Sequence, residues 1–535
     1  MKSSTLSRCV QAAVFTLVVA GCSKDTFLDV NNNPNLPLDV PPSVLLTGAE
    51  ATTGFAVGND LGRVTDLLVQ HIAGIANQPR VYDTYLLRGN YDNQWNNELY
   101  GGSLINSQQI ITLTQAASPL YSGYAKILKA YNFALTTDLW GDIPYSQALQ
   151  GNAAAPNLQP RFDKQEDIYK GNTSLGIQSL FDLEREGLAD IDKGSATATA
   201  SGLKPGADDL IYKGSSAASV AKWKRFGNTL LLKLANTISK KEPALAASVI
   251  KEVLAKGTAA YITDNADDAE VPFGTSVGNQ NPFYAYNFVN RPDDQMLSQR
   301  FLDSLNRYKD PRIAKFFTTT PTPVQPVPAT PTTPAVVGVN TTGVVTSFGT
   351  FTGYDNGSTA PVPVRASRSR YGAYVVGTSG EAPIRLITNF QRAFILAEAV
   401  LTLPGVTVTG ETAQSLYQAG IRASMLKTGL STTDVTAYFA ANPQIVTLAT
   451  ARSIEYQRNQ IITQKWIAWT GNGYEAFNDY RRTGFPKLAI TTNPSSESPT
   501  SIPVRLFYPN SEISANSQNI PTPQPATTAK VWWAQ

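Results

Sequence analysis

Apolar residues recur at helical spacing along most of the chain. Leu61, Val64, Leu68, His71, Ile72 and Ile75 fall on one face, which predicts a helix running to Ile75. Tyr124, Ile127, Leu128, Tyr131, Leu135 and Leu139 make a second stripe, and Trp223, Phe226, Leu230, Leu234 and Ile238 a third. Leu245, Val249 and Val253 follow, then Phe390, Phe394, Ala397 and Leu401, then Leu416, Tyr417 and Met425. Ile454, Ile461, Ile462, Trp466 and Trp469 close the series. At least seven amphipathic helices in this order predict a mostly α protein of stacked helical hairpins, of the tetratricopeptide kind, although no strict 34-residue repeat is legible. Two stretches break the pattern. Residues 257–387 carry few helical signals, and Pro321, Pro323, Pro326, Pro328, Pro331 and Pro334 forbid regular helix or central strand there. Thr491 to Ala529 is again rich in Pro, Ser and Thr. The expectation is a helical scaffold with a large, irregular, loop-built face.

Composition narrows the function. Only 16% of the 535 residues are charged, and the net charge is +3. Two of those charges, Lys2 and Arg8, lie in a segment read below as removable, which leaves about +1. A nucleic-acid binder needs a clustered basic face, so that class is disfavoured. One His and two Cys rule out His/Cys metal sites and a disulfide framework.

The N-terminus reads as an address. Lys2 and Arg8 precede an apolar stretch from Val10 to Ala20. As a helix it would span about 16 Å, too short for a hydrocarbon core of about 30 Å. Residues 1–21 are therefore expected to be a signal peptide. Val19-Ala20-Gly21-Cys22 resembles the bacterial lipobox, with Cys22 the residue that would carry lipid. Ser23-Lys24-Asp25 resembles the export signal that sends lipoproteins of Bacteroidota to the outer surface. Residues 22–42, rich in Asn and Pro, make a lipidated tether, and 43–535 a single helical domain with a loop-rich insertion at about 257–387.

Candidate chemistry is sparse. His71 lies on an apolar face, where a packed or capping role outweighs catalysis. A Ser-His-Asp or Cys-His site would have to use it, and no Gly-x-Ser-x-Gly elbow accompanies it. A two-carboxylate hydrolase needs no histidine, but no acidic pair stands out. Asp264, Asp267 and Asp268 cluster without the EF-hand spacing and are read as a solvated turn rather than a Ca²⁺ loop. No cofactor or metal is called for. Trp140 is read as a plug between hairpins, and Arg481 and Arg482 as partners of a buried carboxylate such as Glu398. Sugar faces stack on Trp and Tyr while amides and guanidiniums bond the hydroxyls. Two aromatic, amide-rich, loop-like segments fit that pattern. One runs from Arg80 through Tyr82, Tyr85 and Trp95 to Asn97. The other runs from Asn281 through Phe283, Tyr284 and Tyr286 to Arg291. Those six aromatic residues are the ligand-binding candidates, with helix packing the alternative for Trp95 and Tyr100.

Several motifs share one order with a known family. Asp138-Leu139-Trp140-Gly141-Asp142-Ile143-Pro144-Tyr145-Ser146 resembles the "D-x-W-G-D-I-P-Y-S" signature of SusD/RagB nutrient-binding outer-membrane lipoproteins. Phe162-Asp163-Lys164-Gln165 with Ile168-Tyr169, Trp223-Lys224-Arg225-Phe226, Asp310-Pro311-Arg312, Ala397-Glu398-Ala399, Gln464-Lys465-Trp466, Arg481-Arg482-Thr483-Gly484 and Arg505 with Tyr508-Pro509 and Glu512 are similar to its later motifs. Phe162 stands where the family has Tyr, and Arg225 where it has Lys. The resemblance implies about four tetratricopeptide-like hairpins under a loop-rich second half. It implies a non-enzymatic binder, set as a lid on a SusC-type TonB-dependent transporter. Such a lid captures an oligomer, commonly a glycan, on an aromatic arc. A peptide or other non-sugar binder, a protein adaptor and a carboxylate-based hydrolase are the alternatives.

Overall fold

The computed structural model describes residues 40–88, 91–151, 155–196, 202–319 and 351–535. The expected leader, Cys22 and nearly all of the tether lie outside them, as does the proline-dense stretch at 320–350. Helices pair along the chain as antiparallel hairpins. Helix α1 (Pro42–Gly58) packs on a wide-turn segment, Gln94–Leu104, that runs directly into α3 (Ile105–Thr114); α2 (Asp60–Leu68) lies between them in sequence. Then α4 (Pro119–Trp140) pairs with α5 (Leu180–Ala196), α6 (Ala217–Ile238) with α7 (Pro243–Ala255), and α8 (Asn389–Thr402) with α9 (Ala413–Lys427). The last two long helices, α10 (Ile454–Ala468) and α11 (Gly473–Thr483), return to the start, where α11 packs on α2. The mostly α, stacked-hairpin expectation holds.

Glycines let α4 and α5 approach closely. A Cβ on Gly123 of α4 would sit 2.7 Å from the Gly187 carbonyl of α5, so only Gly lets these two backbones meet. Local signals set the helix ends. Ser118-Pro119 opens α4 with proline in the first turn, where its missing N–H costs nothing, and Gly141 at φ +83° closes it.

Between the hairpins lie three two-stranded antiparallel pairs. β1 (Ile72–Gly74) pairs with β5 (Gln295–Leu297), Ile72 opposite Leu297. β2 (Ile143–Pro144) pairs with β3 (Phe162–Asp163), and β4 (Ala269–Val271) with β6 (Ile384–Ile387). The first pair corrects the predicted helix to Ile75. α2 ends at Leu68, Gln70 takes a left-handed conformation at φ +63°, and His71 to Ile75 turns away to join β5. The loop-rich stretch is also less irregular than expected, since Gln299–Arg307 is helical.

His71 is fully buried, with Nδ1 2.9 Å from Asp66 Oδ1 and Nε2 donating to the Trp466 carbonyl at 3.0 Å. It stacks on Trp466 and touches Phe301, so it ties α2 to α10 as a core residue.

A second buried carboxylate gathers more of the fold. Asp138, near the end of α4, accepts hydrogen bonds from Tyr169 (2.7 Å) and Trp533 (3.0 Å) on Oδ1. Tyr474 (2.8 Å) and Asn478 (2.8 Å) donate to Oδ2, and Lys233 lies 3.8 Å away. Arg481 donates to the Asp138 carbonyl instead of pairing with Glu398 as expected. Arg482 does make the predicted fork to Glu398, at 2.6 and 2.8 Å.

Next to Asp138, the Trp140 indole donates to Phe507 O at 2.8 Å and meets Trp95 edge-on at 5.2 Å. Arg505 donates to the Trp140 carbonyl, and Tyr508 to the Asp142 carbonyl at 2.6 Å. Trp140 therefore joins the first two hairpins and also clamps the C-terminal segment. Of the acidic cluster only Asp264 sits on a solvated turn; Asp267 and Asp268 are buried. Asp264 caps the turn at Ala266, Asp267 pairs with Arg225 at 3.0 Å, and Asp268 with Lys427 at 2.9 Å.

Two consequences are measurable. Replacing Asp138 by Ala takes the acceptor from four buried donors at once and leaves Lys233 with Glu475 as its carboxylate; the expected loss is about 3–5 kcal/mol of stability, read by chemical denaturation. For Glu398, burial pushes the carboxyl up, but Arg482, then Lys465 and Arg458, outweigh it and hold it at about 2. A depressed carboxyl stabilises fully above its unfolded value, about 4.5, and that stabilisation is lost as pH falls toward 2. Melting temperature should therefore fall between about pH 5 and about pH 2.5, with about 3 kcal/mol from this group, and Glu398→Gln should flatten that limb.

Candidate ligand-binding face

The two aromatic segments are largely helical, with Thr84 to Arg88 the main irregular part among the described residues. Arg80 to Asp83 lie on a short helix, Asn77–Asp83, and Trp95 on the wide-turn segment Gln94–Leu104. Asn281 to Asn290 form another helical stretch. The Asn281 side chain accepts from Phe283 N at 2.9 Å and Tyr284 N at 3.3 Å, Pro282 occupies the first turn, and Ala285–Asn290 continues as a π-helix. Helical phasing then decides which rings turn inward.

Four of the six candidate rings are buried. Tyr82 is 1% exposed and its hydroxyl donates to Asp60 at 3.2 Å. Tyr85, at φ +66°, is 2% exposed and accepts from Thr491 N at 2.8 Å, so it staples the C-terminal loop. Trp95 donates to Glu512 at 3.2 Å and packs on Trp140. Phe283 has no exposed surface and sits against Tyr371 and Gly62. Their faces are covered by protein, so in this conformation they offer nothing for a sugar to stack on. The physical reason is local: Tyr82, Trp95 and Phe283 lie on helical turns, and Tyr85 on the left-handed turn that ends the Asn77–Asp83 helix, with their rings directed at α2 or the C-terminal segment.

Tyr284 and Tyr286 are half-buried and remain within reach of solvent. The wide π turn sets Tyr284 and Phe288 on one side, ring over ring at 5.2 Å and 15°. Arg370 lies over the Phe288 ring at 4.5 Å, a cation–π contact. Tyr286 points elsewhere. Arg63 covers its face at 3.9 Å, and its hydroxyl donates to Asp294 at 3.0 Å. Asp294 also accepts from Asn77 Nδ2 at 2.7 Å, and its carbonyl accepts from Ile75 N at 2.8 Å. These bonds pin the segment after the π-helix to the turn that follows β1. Beside it, Asp293 takes Arg368 at 2.8 Å and is gripped by Arg365. The result is one surface built from residues 77–80, 284–294 and 365–370. It combines stacked rings, guanidiniums and amides.

Phe288, Arg365, Arg368 and Arg370 escaped the sequence reading. The run Arg365-Ala366-Ser367-Arg368-Ser369-Arg370, dense in charge for so weakly charged a chain, was the available signal. Two clefts elsewhere, of about 510 and 540 Å³, include none of these residues. Among the described residues no group of three or more His, Cys, Asp or Glu is placed to hold a metal ion.

Stacked helical hairpins carrying an aromatic, guanidinium-rich face built from short helical and loop segments define the architecture. A family model described as SusD-like, "Starch-binding associating with outer membrane", matches residues 34–509, and the chain belongs to this family. Solved structures agree in fold. A protein described as a chitin-binding protein is 25% identical, with a TM-score of 0.71, over 92% of this chain and 100% of its own. A chitin-binding SusD homologue from Flavobacterium johnsoniae is 24% identical, TM-score 0.72, over 92% and 98%. A SusD homologue from Bacteroides uniformis is 23% identical, TM-score 0.68, over 92% and 99%. No curated protein sequence matches the chain.

Burial separates core rings from face rings experimentally. Trp95→Ala should cost about 3–5 kcal/mol, as expected for a deleted core aromatic, while Tyr284→Ala should stay within about 1 kcal/mol. Denaturation of the two variants side by side reads the difference.

Proposed function

We propose that this chain is a glycan-binding lipoprotein of the outer membrane, anchored through Cys22, that passes its ligand to a SusC-type TonB-dependent transporter. The observation that carries the reading is the family match over residues 34–509, a family described as starch-binding and associated with the outer membrane. The chitin-binding descriptions of two similar structures support a glycan as the ligand class. The Tyr284–Phe288 stack, with guanidiniums and amides at its edge, has the chemistry that a sugar ring and its hydroxyls require. Binding rather than catalysis fits the chemistry of this face. His71, the single histidine, is locked between Asp66 and Trp466 in the core.

Membrane attachment rests on the lipobox-like Val19-Ala20-Gly21-Cys22. Among the described residues no helix is long and apolar enough to cross a membrane. The helical hairpins would then serve as the docking body and the aromatic face as the capture surface, with residues 22–42 as the tether.

The test starts in native membranes. The tagged lipoprotein, gently solubilised, should co-purify with a TonB-dependent barrel in stoichiometric amount; recovery alone or with soluble enzymes would end the transporter reading. Cys22→Ala should abolish incorporation of labelled palmitate and release the protein from the membrane fraction. A labelled product that persists in that variant would exclude Cys22 as the anchor.

A further inference from the structure

The proposed capture face is unusual in its charge. Five guanidiniums, those of Arg80, Arg291, Arg365, Arg368 and Arg370, gather on the segments that build it. Two carboxylates accompany them. Asp293 is shared by Arg365 and Arg368, and Asp294 is buried and taken by Asn77 and Tyr286. Arg80, Arg291 and Arg370 form no ion pair among the described residues, and Arg80 and Arg291 are exposed. The whole chain has a net charge of only +3, so this is a local concentration rather than a general basic surface.

Arg370 is the telling residue. It is half-buried, lies over the Phe288 ring, and among the described residues its one polar side-chain contact is a long one, 3.4 Å to the Asn287 carbonyl. Burial first, then the neighbouring charges of Arg365 and Arg368, push its guanidinium below the usual value, with Asp293 opposing. A cation held partly out of water, among other cations and without a carboxylate, is an unfavourable arrangement that an anion would relieve. Guanidinium is also the side chain whose planar fork matches carboxylate and sulfate oxygens two at a time.

We infer that the ligand of this face is an anionic oligosaccharide, one carrying uronate carboxylates or sulfate esters, with sugar rings stacked along Tyr284 and Phe288 and the acidic groups received by Arg370, Arg291 and their neighbours. The inference rests on the glycan-binding reading above and sharpens it. It departs from the neutral polymers named for the similar chitin-binding structures. Arg370 lies on the Phe288 ring, next to the Tyr284 stack, so guanidinium and aromatic groups are neighbours on this face.

The experiment is calorimetric titration of the full chain in detergent with four oligomers of equal length. These are hexagalacturonate, a heparin-derived hexasaccharide, chitohexaose and maltohexaose. At about 50 mM salt one or both acidic hexamers should bind at least about tenfold more tightly than either neutral one, and the advantage should shrink as salt rises to about 500 mM. The two acidic arms separate carboxylate from sulfate recognition. Arg291→Gln, at an exposed position, should weaken acidic binding about fivefold to tenfold, and so should Arg370→Gln, with melting temperature unchanged for Arg291→Gln. Arg370→Lys keeps the charge but loses the fork and should weaken binding by less.

Three results would overturn the inference. Neutral hexamers binding as tightly as acidic ones, without salt dependence, would leave glycan capture standing and remove the anionic specificity. Acidic binding indifferent to both Arg291→Gln and Arg370→Gln would move the site elsewhere. Binding of none of the four would end both this inference and the glycan reading beneath it.

Discussion

Removing the Asp138 carboxylate from water costs several kcal/mol, and the fold repays that cost by bringing donors from distant parts of the chain to two oxygen atoms. Tyr169 comes from the short helix after β3, Tyr474 and Asn478 from α11, and Trp533 from the last residues of the protein. Lys233 reaches in from α6. Each donor must arrive for the carboxylate to be satisfied, so α4, α6, α11 and the C-terminus are specified together. Arg481 closes the arrangement on the Asp138 backbone, where burial pushes its guanidinium down to about 10. Glu398 with Arg482 repeats the logic one layer away, joining α8 to α11. A network of this kind is costly to leave half-made, which favours one registry of hairpins over slipped alternatives.

This hub explains what could be read along the chain. Long stripes such as Tyr124 to Leu139 and Trp223 to Ile238 announce helices because one face meets a hydrophobic neighbour regardless of which neighbour it is. The Asp138-Leu139-Trp140-Gly141-Asp142 motif is equally visible as a helix end, since Gly141 needs a positive φ there. Helices α1 and α5 were harder to see. α1 is built largely of Ala, Thr and Gly, buried on several sides at once, so no single apolar stripe forms. α5 mixes Asp, Glu and Arg with its buried Leu and Ile positions. The stripe at Leu61 to Ile75 misled for the opposite reason. Its apolar spacing suits a helix throughout, but strand pairing with β5 claims Ile72 to Gly74.

Ring orientation was the least legible feature. Tyr82 and Tyr284 have similar sequence surroundings, rich in aromatic and polar residues. One lies in the core against Asp60, and the other on a surface stack with Phe288. The difference comes from which side of a short helix meets α2, a fact of tertiary packing that no local pattern carries. The arginines of the face were hidden similarly. They belong to a separate stretch, 365–370, brought beside 287–293 by Asp293.

The division between hub and face has a functional logic. A recognition surface gains by holding groups whose interactions are incomplete, since those are the ones a ligand completes, and such groups destabilise the protein that carries them. On this face the deficit lies in short segments fastened by a few strong local bonds. Asp294 ties the turn at Asn77 to the end of the π-helix, and Asn281 anchors that helix to Val375 and Ala382. In the hairpins beneath, Asp138 and Glu398 are enclosed by partners. The helical frame thus carries Arg370, without an ion pair among the described residues, at its surface, and under the proposed reading changes in residues 284–294 or 365–370 would alter the ligand without disturbing the hub. Under that reading recognition is a property of the fastened segments, and the hairpins beneath supply the frame that holds them in place.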